Sequence, residues 1–304
     1  MMNKQISLEN DKLPQFYRQR FLIAMVQVFK NKLTKTDLMK FLFLYNQLYK
    51  EAKKDFDFVP YRYGPFSFQA YADIRRLSEL GLITEEDCVT NNTTKSYLSL
   101  LSKLDQTYLR EFYQSYRTLS GDNLIRYIYS KYPYYARKSE IRERIGNSLL
   151  KDTVIDYMNV EAIYSLGYEG ISIDAYLNTL VRMDIKTVID VRKNPISMKY
   201  GFSKKTLEKT LDALDIKYLH LPELGIESKE RQELSSLESY NKLFDSYEKE
   251  VLSQSDGYVW KIVSEFKVQK RVVLTCFEKS HLYCHRSRIC NLIESRYGLP
   301  IKHL

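Results

Sequence analysis

The apolar positions of this chain follow two different rhythms. In the first half they recur at helical spacing, and in the second half short apolar runs alternate with amphipathic stretches. "LTKTDLMKFLFLYNQLYKEA" predicts a helix, with Leu38, Phe41, Leu42, Tyr45 and Leu48 on one face. Thr34 caps it, and Asp37 stands where a capping-box acid belongs. In "VPYRYGPFSFQAYADIRRLSELGLI", Gly64-Pro65 breaks the chain, Ser67 caps a second helix running to about Leu80, and Gly81 ends it. "LITEEDCVTNNTTKSYLSL" reads as a strand, a turn at Asn91-Asn92 and a second strand with alternating Tyr97, Leu98 and Leu100. Helices followed by a hairpin form the order of a winged helix, a module whose second helix enters the major groove of DNA. "GDNLIRYIYSKYPYYARKSEIRERI" continues as basic, tyrosine-rich helix and breaks at Pro133.

From about residue 160 the pattern changes. "AIYSLGYEG", "KTVIDVR", "KYLHLPELG", "RVVLTCFEK" and the closing "PIKHL" read as strands. "SIDAYLNTLVRMD", "SKKTLEKTLDALD", "LESYNKLFDSYEKEVLSQ" and "RSRICNLIESRYG" read as the helices between them. Strand–helix alternation predicts an α/β fold with a doubly wound, mostly parallel sheet. The expected organisation is a winged-helix-like α+β domain over 1–105, a helical basic and aromatic connector over 106–158, and the α/β domain over 159–304.

Composition changes this picture only in its charge. Hydrophobic residues at 44% and charged residues at 28% are ordinary for a soluble globular chain. The stretch "FLIAMVQVF" is too short to span a bilayer, and "MMNKQISLENDKLPQFYRQR" lacks the apolar core of a signal peptide. Four cysteines in 304 residues are no disulfide framework, which points to a reducing cytoplasm. The net charge of +9 is lopsided: residues 1–150 carry 24 Lys and Arg against 16 Asp and Glu, the remainder 23 against 22. A basic first half suggests nucleic acid as its partner, with Arg62, Arg75, Arg76 and Lys95 as candidate contacts; the alternatives are a protein partner or a merely solvated helix face.

The polar residues of the second half gather at predicted strand ends. Gly167, Tyr168 and Glu169 follow the first strand, Asp190 and Arg192 close the second, Cys276 and Glu278 close the fourth, and Cys284, His285 and Arg286 open the next helix. In an open parallel sheet all of these lie along the carboxyl edge, where ligands bind. "TCFEKSHLYCHR" is the densest part of this set and admits several readings. A metal site is disfavoured, because adjacent Cys284 and His285 at a helix start do not easily face one ion. A nucleophilic thiol is open at Cys284, where the helix start and Arg286 would lower its pKa. The favoured reading is an anion pocket, with Arg192 and Arg286 holding a phosphate and Asp190, Glu278 and Glu169 left for acid–base work or ribose hydroxyls. An internal ion-pair network is the plain alternative. No metal and no cofactor is expected.

"SLGYEG", "VIDVRKNPISMKYGFSKKTLEKTLDALDIKYLHLPELG", "TCFEKSHLYCHRS" and "IKHL" closely resemble the family known as domain of unknown function 488. The resemblance covers roughly residues 160 to 304 and implies an α/β fold without an assigned activity. This chain carries Ile226 where family members often have a second glycine after Gly225. The expected function is an enzyme acting on a phosphate- or nucleobase-bearing substrate, either a nucleotide or a nucleic acid. The alternative is a non-enzymatic DNA-binding regulator whose second domain senses a ligand.

Overall fold

The structure, a computed structural model, describes residues 13–49, 51, 56–146, 160–231, 234 and 236–304. The expected boundary near residue 158 and most of the stretch read for a signal peptide lie outside the described residues. The chain divides into two compact units, Met1–Leu150 and Lys151–Leu304.

The first unit contains α1 (Tyr17–Val28), β1 (Lys32–Thr34), α2 (Lys35–Leu48), β2 (Val59–Tyr61), β3 (Gly64–Phe66), α3 (Phe68–Glu79), β4 (Ile83–Glu85), β5 (Cys88–Asn91), α4 (Lys103–Tyr116) and α5 (Gly121–Lys131). Strands β1, β5 and β4 form an antiparallel sheet in that order, and β2 pairs with β3. The capping residues act as expected: Thr34 Oγ1 accepts from Asp37 N at 3.0 Å and Ser67 Oγ from Ala70 N at 3.1 Å. Asp37 does more than favour its own helix, because its Oδ1 also accepts from Gly121 N, at the start of α5. Gly81, at φ +73°, ends α3.

Two expectations for this unit are corrected. The hairpin turns at Glu86-Asp87, between β4 and β5, and not at Asn91-Asn92. Asn91 and Asn92 close the strand pairing instead, donating their amides to the carbonyls of Asn31 and Leu82. Tyr97, Leu98 and Leu100 are not on a strand: Leu98–Leu100 is one short 3-10 turn, pinned where Gln27 Oε1 accepts from Tyr97 N at 2.9 Å. Residues of the stretch expected as a connector pack into this unit's core. Leu109, Phe112, Leu124, Ile128, Tyr129 and Ala136 are fully buried in the same core as Leu22, Leu38 and Phe41. Most of the tyrosine rings of 127–135 fill gaps between helices, as Tyr132 and Tyr135 do against Phe43. Pro133 ends α5 as expected, opening a short 3-10 turn. Lys40, on α2, is 2% exposed and donates to Pro65 O at 2.9 Å. Burial holds its pKa down at about 7.

The second unit is α/β. It contains β6 (Ala162–Gly167), α6 (Ile173–Arg182), β7 (Thr187–Asp190), α7 (Lys204–Asp212), β8 (Lys217–His220), α8 (Leu237–Glu250), α9 (Asp256–Gln269), β9 (Arg271–Cys276), α10 (Arg286–Tyr297) and β10 (Ile301–His303). Five strands in the order β10-β6-β9-β7-β8 form a wholly parallel sheet. Every residue of β6 and β7 is buried, as both faces of a doubly wound sheet require. One face packs Ile163, Ile189, Val272 and Leu274 against Val259, Ile262, Ile289 and Ile293 of α9 and α10. Ile226, the noted departure from the family pattern after Gly225, is buried in that core.

The strand order decides where a ligand can enter. From β6 the chain crosses to β7, beyond β9, and then to β8; from β9 it turns the other way, over β6, to β10. The connections leaving β9 and its two neighbours therefore diverge above the carboxyl edge. A crevice opens at such a switch point, and ligands of α/β sheets bind there.

Candidate functional site

The edge is closed by main chain before any side chain acts. Hydrogen bonding continues past the strands: Tyr168 N donates to Cys276 O, Glu169 N to Phe277 O at 2.9 Å, and Val191 N to Thr275 O at 3.2 Å. The loop after β9 then crosses directly over Gly167. A Cβ on Gly167 would stand 1.8 Å from Glu278 O, so only glycine fits. Arg286 fixes the same loop from below. It is 1% exposed, and donates from Nη1 to Glu278 O at 2.6 Å, from Nη2 to Lys279 O at 2.9 Å and from Nε to Ser165 Oγ at 3.4 Å. Glu169 Oε2 accepts from Lys279 N, tying the loop from the other side.

Beside this clamp lies a buried ion pair. Asp190, fully buried, accepts from Arg192 N, Nε and Nη2, the last at 2.6 Å, and from Tyr218 Oη at 2.7 Å. Arg192 Nη1 donates to Tyr168 Oη at 2.7 Å and to Phe202 O at 2.9 Å. The Tyr168 ring stacks on Phe202 at 4.1 Å, with Phe277 edge-on at 5.4 Å. Burial, and next the negative charge of Asp190, raise the Tyr218 phenol pKa. Lys199 Nζ donates to Tyr168 O at 3.0 Å, and burial lowers its pKa.

The two arginines expected as anion anchors have internal partners in this geometry. Both guanidinium groups are buried and direct their donors at a carboxylate, a phenol and main-chain carbonyls, because a buried arginine must satisfy its fork internally. Asp190 is likewise the acceptor that holds Arg192. Asp190 and Arg192 form one ion pair of the internal network weighed as the alternative, whereas Arg286 braces the loop through main-chain carbonyls.

Between the clamp and the ion pair sits a compact cluster of Cys276, Cys284 and His285, each at most 1% exposed. His285 Nε2 lies 3.0 Å from Val191 O and, since a carbonyl only accepts, carries a proton. In the neutral ring Nδ1 is then the acceptor, and it faces Cys276 Sγ at 3.8 Å and Cys284 Sγ at 3.9 Å. Glu278 Oε2 lies 3.4 Å from Cys276 Sγ. The donor atoms of the two thiols and the imidazole all fall within 4.8 Å of one another.

Two sequence readings fail here. Cys284 and His285 do face one point, because the backbone switches between them: Cys284 is extended (φ −135°, ψ 133°) and His285 helical (φ −57°, ψ −20°), which turns consecutive side chains to the same side. The Cys284 thiol is also not activated. Burial pushes its pKa well up, Cys276 and Glu278 add to this, and the lowering influence of Arg286 is smaller. Cys290 is raised to about 12, chiefly by burial.

The structure brings Gly167, Tyr168, Glu169, Asp190, Arg192, Cys276, Glu278, Cys284, His285 and Arg286 to one edge, as their placement at strand ends implies. The candidate nucleic-acid contacts of the first unit sit on separate elements. Arg75 and Arg76 are exposed on α3, the first over the Tyr71 ring at 5.0 Å and the second bonded to Glu79 at 3.0 Å. Arg62 is exposed between β2 and β3 and pairs with Glu140, while Lys95 lies half-buried beyond β5. Sequence reasoning missed Tyr218, Phe202, Lys199 and Ser165. Tyr218 had a readable signal: on β8 it is two residues before His220, the register partner of Asp190.

Residues 172–293 match the model of a family described as Domain of unknown function DUF488, a stretch that runs from the cap of α6 into α10. A search of the curated proteins finds no match, and neither does a search of the solved structures. Among the described residues no helix is long and apolar enough to cross a membrane.

Proposed function

We propose that this is a nucleic-acid-associated protein whose second unit is an enzyme acting on a nucleobase-bearing substrate, nucleotide or nucleic acid, at the carboxyl edge of its sheet. The observation that carries this reading is the switch-point crevice, with chemistry from three strand ends and one helix start around it. The rim favours a base over a bare phosphate. Both arginines are committed inward, whereas the loops around the crevice carry exposed apolar and aromatic side chains: Ile196, Met198, Tyr200, Phe277, Leu282 and Tyr283. For the first unit, the order of helices and hairpin, with β1 beside β5, is that of a winged helix, and α3 presents Arg75 and Arg76 outward.

The second reading, a regulator that binds the ligand without turnover, is favoured by the inward commitment of Asp190 and the raised pKa of Cys284. Turnover separates the two. The full chain is incubated with nucleosides, nucleotides and DNA and RNA oligonucleotides, and products are read by mass. Conversion of one of these supports the enzyme, and saturable binding without conversion supports the regulator. Neither binding nor conversion sinks both. For the first unit, Arg75→Ala with Arg76→Ala should lower duplex affinity and reduce the salt slope by up to about 2; an unchanged slope assigns those arginines to the solvated surface.

A further inference from the structure

We infer that Cys276, Cys284 and His285 form a three-ligand zinc site, with the carboxylate of Glu278 adjoining it. The donor set comes first. Two thiols and an imidazole are zinc ligands, and their softness disfavours magnesium and calcium. The spacing comes second. Zn–S bonds of about 2.3 Å and a Zn–N bond of about 2.0 Å, at a tetrahedral angle, put sulfur and nitrogen about 3.5 Å apart. The observed S–N separations are 3.8 and 3.9 Å, a few tenths of an ångström above that, and the two sulfurs lie within 4.8 Å of each other.

The third argument is the arrangement around the imidazole. Metal-bound histidines donate their other ring N–H to a carbonyl or carboxylate, which fixes the tautomer and aims the lone pair. His285 does this through Nε2 to Val191 O, aiming Nδ1 at the two sulfurs. The scaffold is rigid as well. Cys276 ends the central strand and Val191 follows the neighbouring one, while Arg286 and Gly167 hold the loop that carries Glu278. Three protein ligands are the complement of zinc sites that keep a position for water or substrate, and four that of structural sites. The inference needs no particular substrate, so it stands or falls separately from the proposed enzyme activity.

The test uses the full chain, reduced, stripped with a chelator and titrated with Co2+ alone. The expected result is one equivalent bound, with thiolate-to-Co2+ charge-transfer absorption in the near ultraviolet and intense tetrahedral ligand-field bands, all lost on adding Zn2+. Cys276→Ser and Cys284→Ser should each weaken Zn2+ binding more than about 100-fold, beyond the usual loss from a residue behind a ligand. Cys88→Ser, in the first unit, should leave binding unchanged. Absence of the charge-transfer band in the wild-type chain overturns the site without relying on any variant that must fold. So does a band that persists at full strength in folded Cys284→Ser.

Discussion

Two buried polar clusters share the sheet edge, and they are built on opposite terms. Around Asp190 and Arg192, a carboxylate receives four donor groups from arginine and tyrosine, and the guanidinium is bound on every nitrogen. Around His285, two cysteine sulfurs lie 3.8 and 3.9 Å from one ring nitrogen. The first cluster has its charges matched and its lone pairs occupied, which makes it a brace. The second is joined through sulfur contacts of 3.4 to 3.9 Å, longer than the nitrogen and oxygen bonds of the first. Charge at this edge is densest where it is fully matched, and the softer donors stand in longer contacts.

The largest test of this contrast is Asp190→Ala. Leaving the Arg192 charge buried and unpaired should cost about 3–5 kcal/mol in chemical denaturation; a cost below about 1 kcal/mol would mean water reaches the pair and the brace is no brace. Lys40 supplies a control in the other unit, a buried cation donating to a single carbonyl. Its folded pKa of about 7 lies below the unfolded value of about 10.4. Between these the unfolded chain holds more protons, so this group makes stability rise with pH across that window, by up to about 1.4 kcal/mol per unit, and level off below it. Lys40→Met should remove that slope, and parallel profiles for the two proteins would show that a poorly matched cation stays charged inside.

Tyr218→Phe takes one donor from Asp190 and should cost about 1–1.5 kcal/mol. No loss would show that Asp190 is over-supplied. Smallest is Cys284→Ala in metal-free protein, expected to cost less than about 1 kcal/mol, since the thiol packs there as a small apolar group. A thiol reagent at neutral pH should modify half-buried Cys88 before Cys284 or Cys290. Equal rates at Cys88 and Cys284 would place the cluster in contact with solvent and erase its difference from the rim.

The α/β unit was legible almost strand by strand, because buried parallel strands leave apolar runs and turns leave Gly, Pro and caps. The gathering of strand-end residues at one edge was legible for the same reason. What escaped was direction. Nothing local reveals that Arg286 points back to the carbonyls of its own loop, or that one φ/ψ change lets Cys284 and His285 share a target. In the first unit, Tyr97 to Leu100 alternate like a strand, yet a long-range bond to Gln27 and burial against a helix override the local preference. The packing of the tyrosines of 127–135 was not legible in detail, because aromatic burial depends on partners such as Phe43, some ninety residues earlier.

The place of β9 bears on how the unit comes to exist. It lies between β6 and β7, yet is made about eighty residues after β7. During synthesis β7 and β8 can pair as neighbours, but β6 has no companion until β9 emerges, and β10 later still joins its far side. The sheet therefore closes late, by long-range pairing that is slow to form. Until then both edges of β6 and one of β7 stand open to wrong partners on a nascent chain, and folding of this unit should lean on chaperones that shield such edges.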